Sequence, residues 1–199
     1  MKVLYANVRG LKSKMTCLKN ILCEIRPNIV LLFETLLWDN KGVKIDGYTF
    51  FGMARKKGEG GGVGICVKNE QKKFIAPHLT QRPIEILWVS VARPHEKPLF
   101  IGVYYGLQES CNREKIQKEM VYLSEEIAEI KKEGEILLCM DANAKIGLMQ
   151  EAKSRNGKLI EGVFQEQDIF VMNKTDKCRG LTLIHTGGGP IRPPPSIYC

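Results

Sequence analysis

The stretch Ile136-Leu137-Leu138-Cys139-Met140-Asp141-Ala142-Asn143-Ala144 restricts the fold more than any other part of this chain. A helical pattern precedes it, and Gly134 ends that helix. The unbroken apolar run that follows reads as a strand buried on both faces. It stops at Asp141 and Asn143, two polar side chains one residue apart. Residues two apart in a strand share a face, so a carboxylate and an amide would project together from a buried strand's end. Open sheets place their chemistry at such ends. Asp and Asn after a strand also suit a cap or turn, and this stretch by itself supports both readings.

Either way, a doubly buried strand needs covering layers. The 199 residues are enough for one domain with a substantial core. No apolar run approaches the length of a membrane span, and the N-terminus is too short in its apolar part for a secretion signal. The seven cysteines include no Cys-x-x-Cys pair, which fits reduced thiols inside a cell. His78, His95 and His185 stand apart, which argues against zinc. The net charge of +8 concentrates polyanions such as nucleic acid, anionic lipid or acidic protein. Its Lys and Arg residues are spread along the chain, with a local cluster at Arg55-Lys56-Lys57, so a merely soluble basic surface gives the same count.

Read in order, Val3–Val8 is a strand ending near Asn7, and Leu18, Ile21, Leu22 and Ile25 mark an amphipathic helix that stops before Pro27. Asn28–Phe33 is a second apolar strand, ending abruptly at Glu34. Strand, helix and strand with short joints form a βαβ-like opening. Gly58–Gly64 invites a phosphate-loop reading, but no Gly-Lys-Ser/Thr follows and the next residues form a strand pattern, so the glycines read as a mobile turn. Strands are expected at 48–51, 65–68, 72–76, 84–92 and 98–105, the last two joined through Pro94–Lys97 as a hairpin. Asn112–Glu133 is a helix, with Ile116, Met120, Leu123, Ile127 and Ile130 three or four apart. A short helix at 159–167 and short strands at 169–173 and 181–184 follow. The sum predicts α+β: two sheets packed face to face with helices outside.

Three buried strands thus end in Asn7, Glu34, and Asp141 with Asn143, and another ends at Tyr104-Tyr105-Gly106. Each has an ordinary explanation alone, but together they suit one task. Glu34 and the Asn7 amide oxygen offer hard ligands for Mg²⁺ or Mn²⁺. Asp141 can orient and deprotonate a water, and Asn143 and Tyr105 can hydrogen-bond phosphate oxygens. That set suits metal-assisted hydrolysis of a phosphate ester.

Tyr5-Ala6-Asn7-Val8-Arg9-Gly10-Leu11, Phe33-Glu34-Thr35, Val103-Tyr104-Tyr105-Gly106 and Met140-Asp141-Ala142-Asn143-Ala144 occur in the order and approximate spacing of the endonuclease/exonuclease/phosphatase superfamily. Together with Arg155-Asn156-Gly157, Leu159, Phe164, Phe170, Asn173 and Thr182, they resemble the apurinic-type endonuclease domain of non-LTR retrotransposons. The resemblance covers nearly all of residues 1–199, read as a single domain. It implies a four-layered αββα sandwich and Mg²⁺-dependent nicking of DNA. It implies catalytic Asp141, Asn143 and Tyr105, Asn7 and Glu34 at the metal, and Thr182 near the substrate with Tyr105 and Asn143. Its implied partners are DNA and a reverse transcriptase domain encoded downstream, with no membrane and with a nuclear location inferred from the substrate.

The sequence also departs from that pattern. The family closes with Ser-x-x-Asp-His or Ser-x-x-Asp-Tyr, whose Asp orients a His that stabilises charge on the phosphate. Here residues 195–199 read Pro-Ser-Ile-Tyr-Cys, and no Asp or Glu follows Leu181. Leu36 and Leu107 stand where relatives carry other residues. These departures lead to the expectation of a sandwich lacking its last strand or two, and of weak or absent activity. A non-enzymatic retroelement remnant, and a superfamily phosphatase or phosphodiesterase acting on a lipid headgroup, are the alternatives.

Overall fold

In the computed structural model, residues 1–39, 42–54, 61–146 and 154–171 are described. Strand β1 (Val3–Asn7), helix α1 (Leu11–Ile25) and strand β2 (Ile29–Phe33) open the chain. β1 and β2 pair in parallel with Asn7 opposite Phe33. Gly10 makes the sharp turn from β1 into α1 at φ +103, and its N–H donates to the Glu34 carbonyl at 2.8 Å. Arg26, left-handed at φ 49, closes the helix before Pro27. Strands β3 (Tyr48–Met53) and β4 (Val63–Lys68) complete a first sheet in the order β1-β2-β4-β3.

The second sheet has the order β5-β6-β7-β8, from β5 (Ile75–Leu79), β6 (Glu85–Val91), β7 (Leu99–Tyr105) and β8 (Glu135–Asp141). β6 and β7 form the expected hairpin. Helix α2 (Arg113–Glu133) then carries the chain to β8, which pairs in parallel with β7. The Asn112 side chain caps α2 by accepting from the Glu114 N–H at 2.8 Å. Helix α3 (Arg155–Glu166) begins four residues before the expected 159, because Ser154 caps it by accepting from the Gly157 N–H at 3.2 Å. The strand expected at 72–76 is corrected: Asn69–Phe74 is a 3₁₀ helix, and pairing starts only at Ile75. Its polar run, Asn69 to Lys73, has no apolar face to bury in a sheet.

Alternation along the strands sorts the side chains into layers. Ile29, Leu31 and Phe33 meet Leu87, Val89, Ile101 and Val103 between the sheets. Val30 and Leu32 face Leu11, Leu18 and Leu22 of α1. Ile86, Trp88 and Tyr104 face Leu123, Ile127 and Ile160 of α2 and α3. The architecture is α+β in four layers: α1, first sheet, second sheet, and α2 with α3. Of the strand expected at 169–173, Ile169 and Val171 pack against the outer core without strand pairing, and 172–173 lie outside the described residues, as does 181–184. Among the described residues, no helix is long and apolar enough to cross a membrane.

The fully buried Trp88 lies over Gly102, where an added Cβ would meet its ring atoms at 2.4 Å and Leu138 Cδ1 at 2.9 Å. Gly102→Ala is therefore expected to destabilise the fold by about 1–3 kcal/mol through overpacking. Urea denaturation followed by Trp fluorescence checks this, and an unchanged midpoint would show that the Trp88 ring moves freely.

Candidate active site

The two parallel pairs bring β1, β2, β7 and β8 to one rim of the sandwich, each by its C-terminal end. Asn7 shares the inward face of β1 with Val3, Tyr105 that of β7 with Ile101 and Val103, and Asp141 that of β8 with Leu137 and Cys139. Glu34 follows the last residue of β2 in the left-handed region at φ 51. Non-glycine residues hold that conformation only when their surroundings enforce it. Here the Gly10 N–H takes the Glu34 carbonyl, and the Leu11 N–H takes that of Thr35 at 2.9 Å.

Asn7 is the centre of the rim. Its Nδ2 donates to Glu34 Oε1 at 2.8 Å and to Asp141 Oδ2 at 3.1 Å. These contacts hold the two carboxylates within about 6 Å of one another, close enough for their like charges to repel. Asn7 Oδ1 accepts from the Arg9 N–H at 3.2 Å. The Tyr105 hydroxyl stands 3.5 Å from Glu34 Oε1, at the limit of a hydrogen bond. Burial raises the Tyr105 phenol above its ordinary range, a hydrogen bond with Asn143 opposes the rise, and the Glu34 and Asp141 charges add to it. Tyr105 is consequently a neutral hydroxyl donor at physiological pH.

Asn143 reaches the rim differently from the strand alternation expected of it. β8 ends at Asp141, and Asn143 sits beyond it at φ 45. Its N–H approaches Asp141 Oδ1 at 3.4 Å, and its Nδ2 donates to the Gly106 carbonyl at 2.8 Å. A turn made by the Asp141 side chain folds the amide back against β7. The pair makes the turn that Asp and Asn suit, and that turn, in place of strand alternation, delivers Asn143 to Tyr105. Thr182 lies outside the described residues.

Beside Asn143 a cleft of about 450 Å³ is lined by Gln108, Glu109, Ser110, Ala144, Lys145 and Ser154. Asn156 and Arg155 of α3 shape its wall: Asn156 Nδ2 donates to the Leu107 carbonyl at 3.0 Å, and the Arg155 guanidinium to that of Glu109 at 2.6 Å.

Sequence reasoning missed the support beneath Tyr105. Glu119 of α2 is buried and accepts from the Tyr104 hydroxyl at 2.7 Å. Burial raises its carboxyl above the usual range, against the lowering effect of that hydroxyl and of the Leu107 N–H. The Tyr104 phenol is itself pushed well up by burial and by the Glu119 charge. The signal is an acid among the apolar positions of an amphipathic helix, at 119 beside Met120. A raised folded-state value means that the stability Glu119 contributes is fully present below its ordinary value of 4.5 and lost as pH rises through the folded-state value. Glu119→Gln keeps an acceptor for Tyr104 and cannot ionise. Its advantage over wild type in urea midpoint is expected to grow from about pH 4 to about pH 8. An equal difference at both pH values would show that Glu119 titrates normally.

Among the described residues, no three His, Cys, Asp or Glu side chains gather closely enough to hold an ion by themselves. The Glu34 and Asp141 carboxylates at the rim nevertheless suit Mg²⁺, which binds one or two carboxylates and keeps water or phosphate on its other positions. The Asn7 amide turns its Nδ2 toward both carboxylates and its Oδ1 toward the Arg9 N–H, so its oxygen reaches an ion there only once the amide turns over.

The sequence matches no protein-family model and no curated protein. Solved structures do match. An AP endonuclease from Leishmania major superposes with TM-score 0.66 at 15% identity, over 83% of this chain and 66% of that one. A 3′–5′ exonuclease from Neisseria meningitidis gives 0.63 at 16%, over 83% and 71%. The endonuclease domain of TRAS1, a telomere-specific non-LTR retrotransposon, gives 0.57 at 19%, over 83% and 71%. The chain thus spans about two thirds of the length of these proteins. Two mixed four-stranded sheets, clad by helices and closing on one polar rim, give this chain the fold of the endonuclease/exonuclease/phosphatase superfamily.

Proposed function

We propose that the chain is a metal-dependent phosphodiester hydrolase acting on DNA, of the nicking type found in retroelements. The observation that carries this reading is the Asn7 amide held between the Glu34 and Asp141 carboxylates, with Tyr105 at the same rim. Glu34 would hold Mg²⁺, with Mn²⁺ as a substitute, and Asn7 would join it by turning its Oδ1 to where its Nδ2 now faces Glu34. Bound there, the ion would supply Lewis-acid polarisation of a phosphoryl oxygen.

The protein's own groups account for the remaining tasks. Asp141 is anchored by Asn7 and Asn143, and it is the base placed to orient a water and take its proton. Tyr105, kept neutral by burial, donates a hydrogen bond to the phosphate as charge builds on it. Asn143 aims that hydroxyl and holds the Gly106 carbonyl, and Thr182 is assigned to the substrate by the motif resemblance alone. DNA as substrate is supported by the charge of +8 and by the printed subjects of two neighbours, a Neisseria 3′ phosphatase bound to a product DNA hairpin and a D. rerio TDP2 with a single-stranded DNA product. The TRAS1 likeness and the retroelement-type motifs support the retroelement assignment. The downstream reverse transcriptase and the nuclear location rest on the motif resemblance and the proposed substrate alone.

A phosphatase reading has its own support in ANGEL2, a 2′,3′-cyclic phosphatase that matches with TM-score 0.53. The deciding experiment offers the purified chain supercoiled plasmid, a phosphomonoester-ended oligonucleotide and a lipid-headgroup phosphodiester, each with Mg²⁺ or with EDTA. Nicking that requires Mg²⁺ is the expected result. Turnover of the monoester or headgroup without any plasmid nicking would overturn the assignment.

A further inference from the structure

The glycine run that reads as a mobile turn in the sequence ends in two residues with a defined place. Gly61 and Gly62 have φ +104 and +86, a region that favours glycine. Their carbonyls accept from the N–H groups of Leu36 at 3.1 Å and Thr35 at 3.0 Å, the two residues after Glu34. The Gly62 N–H then donates to Glu85 Oε2 at 2.8 Å. There is no room for side chains: a Cβ on Gly61 would meet Glu85 Oε2 at 2.5 Å, and one on Gly62 would meet Thr35 Oγ1 at 2.6 Å.

Glu85 opens β6 of the second sheet, directly opposite Tyr105 in register. Alternation puts it on the face of Leu87 and Val89, which points between the sheets. A carboxylate of the second sheet therefore grips the backbone of the first immediately behind Glu34. That backbone needs gripping, since Glu34 and Leu36 are both left-handed at φ 51.

We propose that Glu85 is a positioning residue. By taking the Gly62 N–H it seats the Gly61–Gly62 turn against Thr35 and Leu36, and so fixes the carboxylate of Glu34. The inference rests on the reading of Glu34 as an ion ligand. It requires an acceptor at the right reach and no negative charge, which distinguishes it from a direct acid role.

Glu85→Gln keeps the reach and removes the charge. Glu85→Asp keeps the charge and falls one methylene short. In the 199-residue chain, amide hydrogen exchange at Thr35 and Leu36 reads the turn, and calorimetric titration with Mn²⁺ reads Glu34. E85D is expected to speed exchange at both amides by about 10-fold while α2 stays protected, and to weaken Mn²⁺ binding by about 10–100-fold. E85Q is expected to stay within about threefold of wild type in both. Unchanged exchange in E85D would overturn the clamp. Weak Mn²⁺ binding in E85Q with normal exchange would overturn it too, by showing that the charge itself acts. If wild type binds no Mn²⁺, the ion-site reading fails, while the exchange measurements still decide whether Glu85 holds the turn.

Discussion

Asp141→Asn is expected to lower Mg²⁺-dependent plasmid nicking by about 10²–10⁴-fold, the range for loss of a positioned general base. The substitution is nearly isosteric, and Asp141 lies at the end of β8 rather than in its middle. It accepts from both Asn7 Nδ2 and the Asn143 N–H. An amide has one acceptor oxygen, so it satisfies one of these donors and turns its own NH₂ toward the other. The expected structural cost is local, and the urea midpoint should stay near that of wild type. Glu34→Gln acts differently: it removes a ligand charge, so its defect should shrink as Mg²⁺ is raised, whereas the Asp141→Asn defect should not. A Mg²⁺ series on both variants measures this. Unchanged nicking in both would place the activity elsewhere on the chain or in a contaminant.

The second large effect concerns the closing motif. Adding a final strand that carries Asp and His to residues 1–199 is expected to raise the nicking rate by at least about 10³-fold. An Asp–His pair works as a unit, in which the acid orients the imidazole, and losing one member commonly costs as much as losing both. Tyr105 and the amides of Asn7 and Asn143, which can donate to a phosphate at the rim, are neutral. A cation there would stabilise developing charge more strongly than they do. Parallel plasmid assays of the two chains check this. Equal rates would show that the existing rim is sufficient.

How legible the sequence was depends on distance along the chain. The β1–α1–β2 opening, the β6–β7 hairpin and α2 follow from local periodicity and from Pro and Gly punctuation, and the structure places them within a few residues of expectation. The convergence of Asn7, Glu34, Tyr105 and Asp141 was readable because parallel strands joined by helices present like ends on one rim. Asn143 was harder: alternation requires the strand to continue, and the Asp141 side chain ends it with a turn. Glu85 and Glu119 left weaker traces. Each is a single acid in an apolar element, and its role appears only when a partner from another layer, the Gly62 N–H or the Tyr104 hydroxyl, is placed against it. The 3₁₀ helix at 69–74 shows the reverse failure, where a polar run before a strand was counted into that strand.

The hydrogen bond from Asn7 to Asp141 joins residues 134 positions apart. Closing so long a loop is entropically unfavourable until the elements between are in place, so non-local pairing of this kind comes late in folding. Each βαβ-like half can dock its own helix without the other, but neither half contains an active centre. During refolding, helical signal should return before ion affinity does. During synthesis, the rim cannot assemble until β8 has emerged and met the first strand, so under the proposed function a partly made polypeptide would be unable to cut the nucleic acid around it.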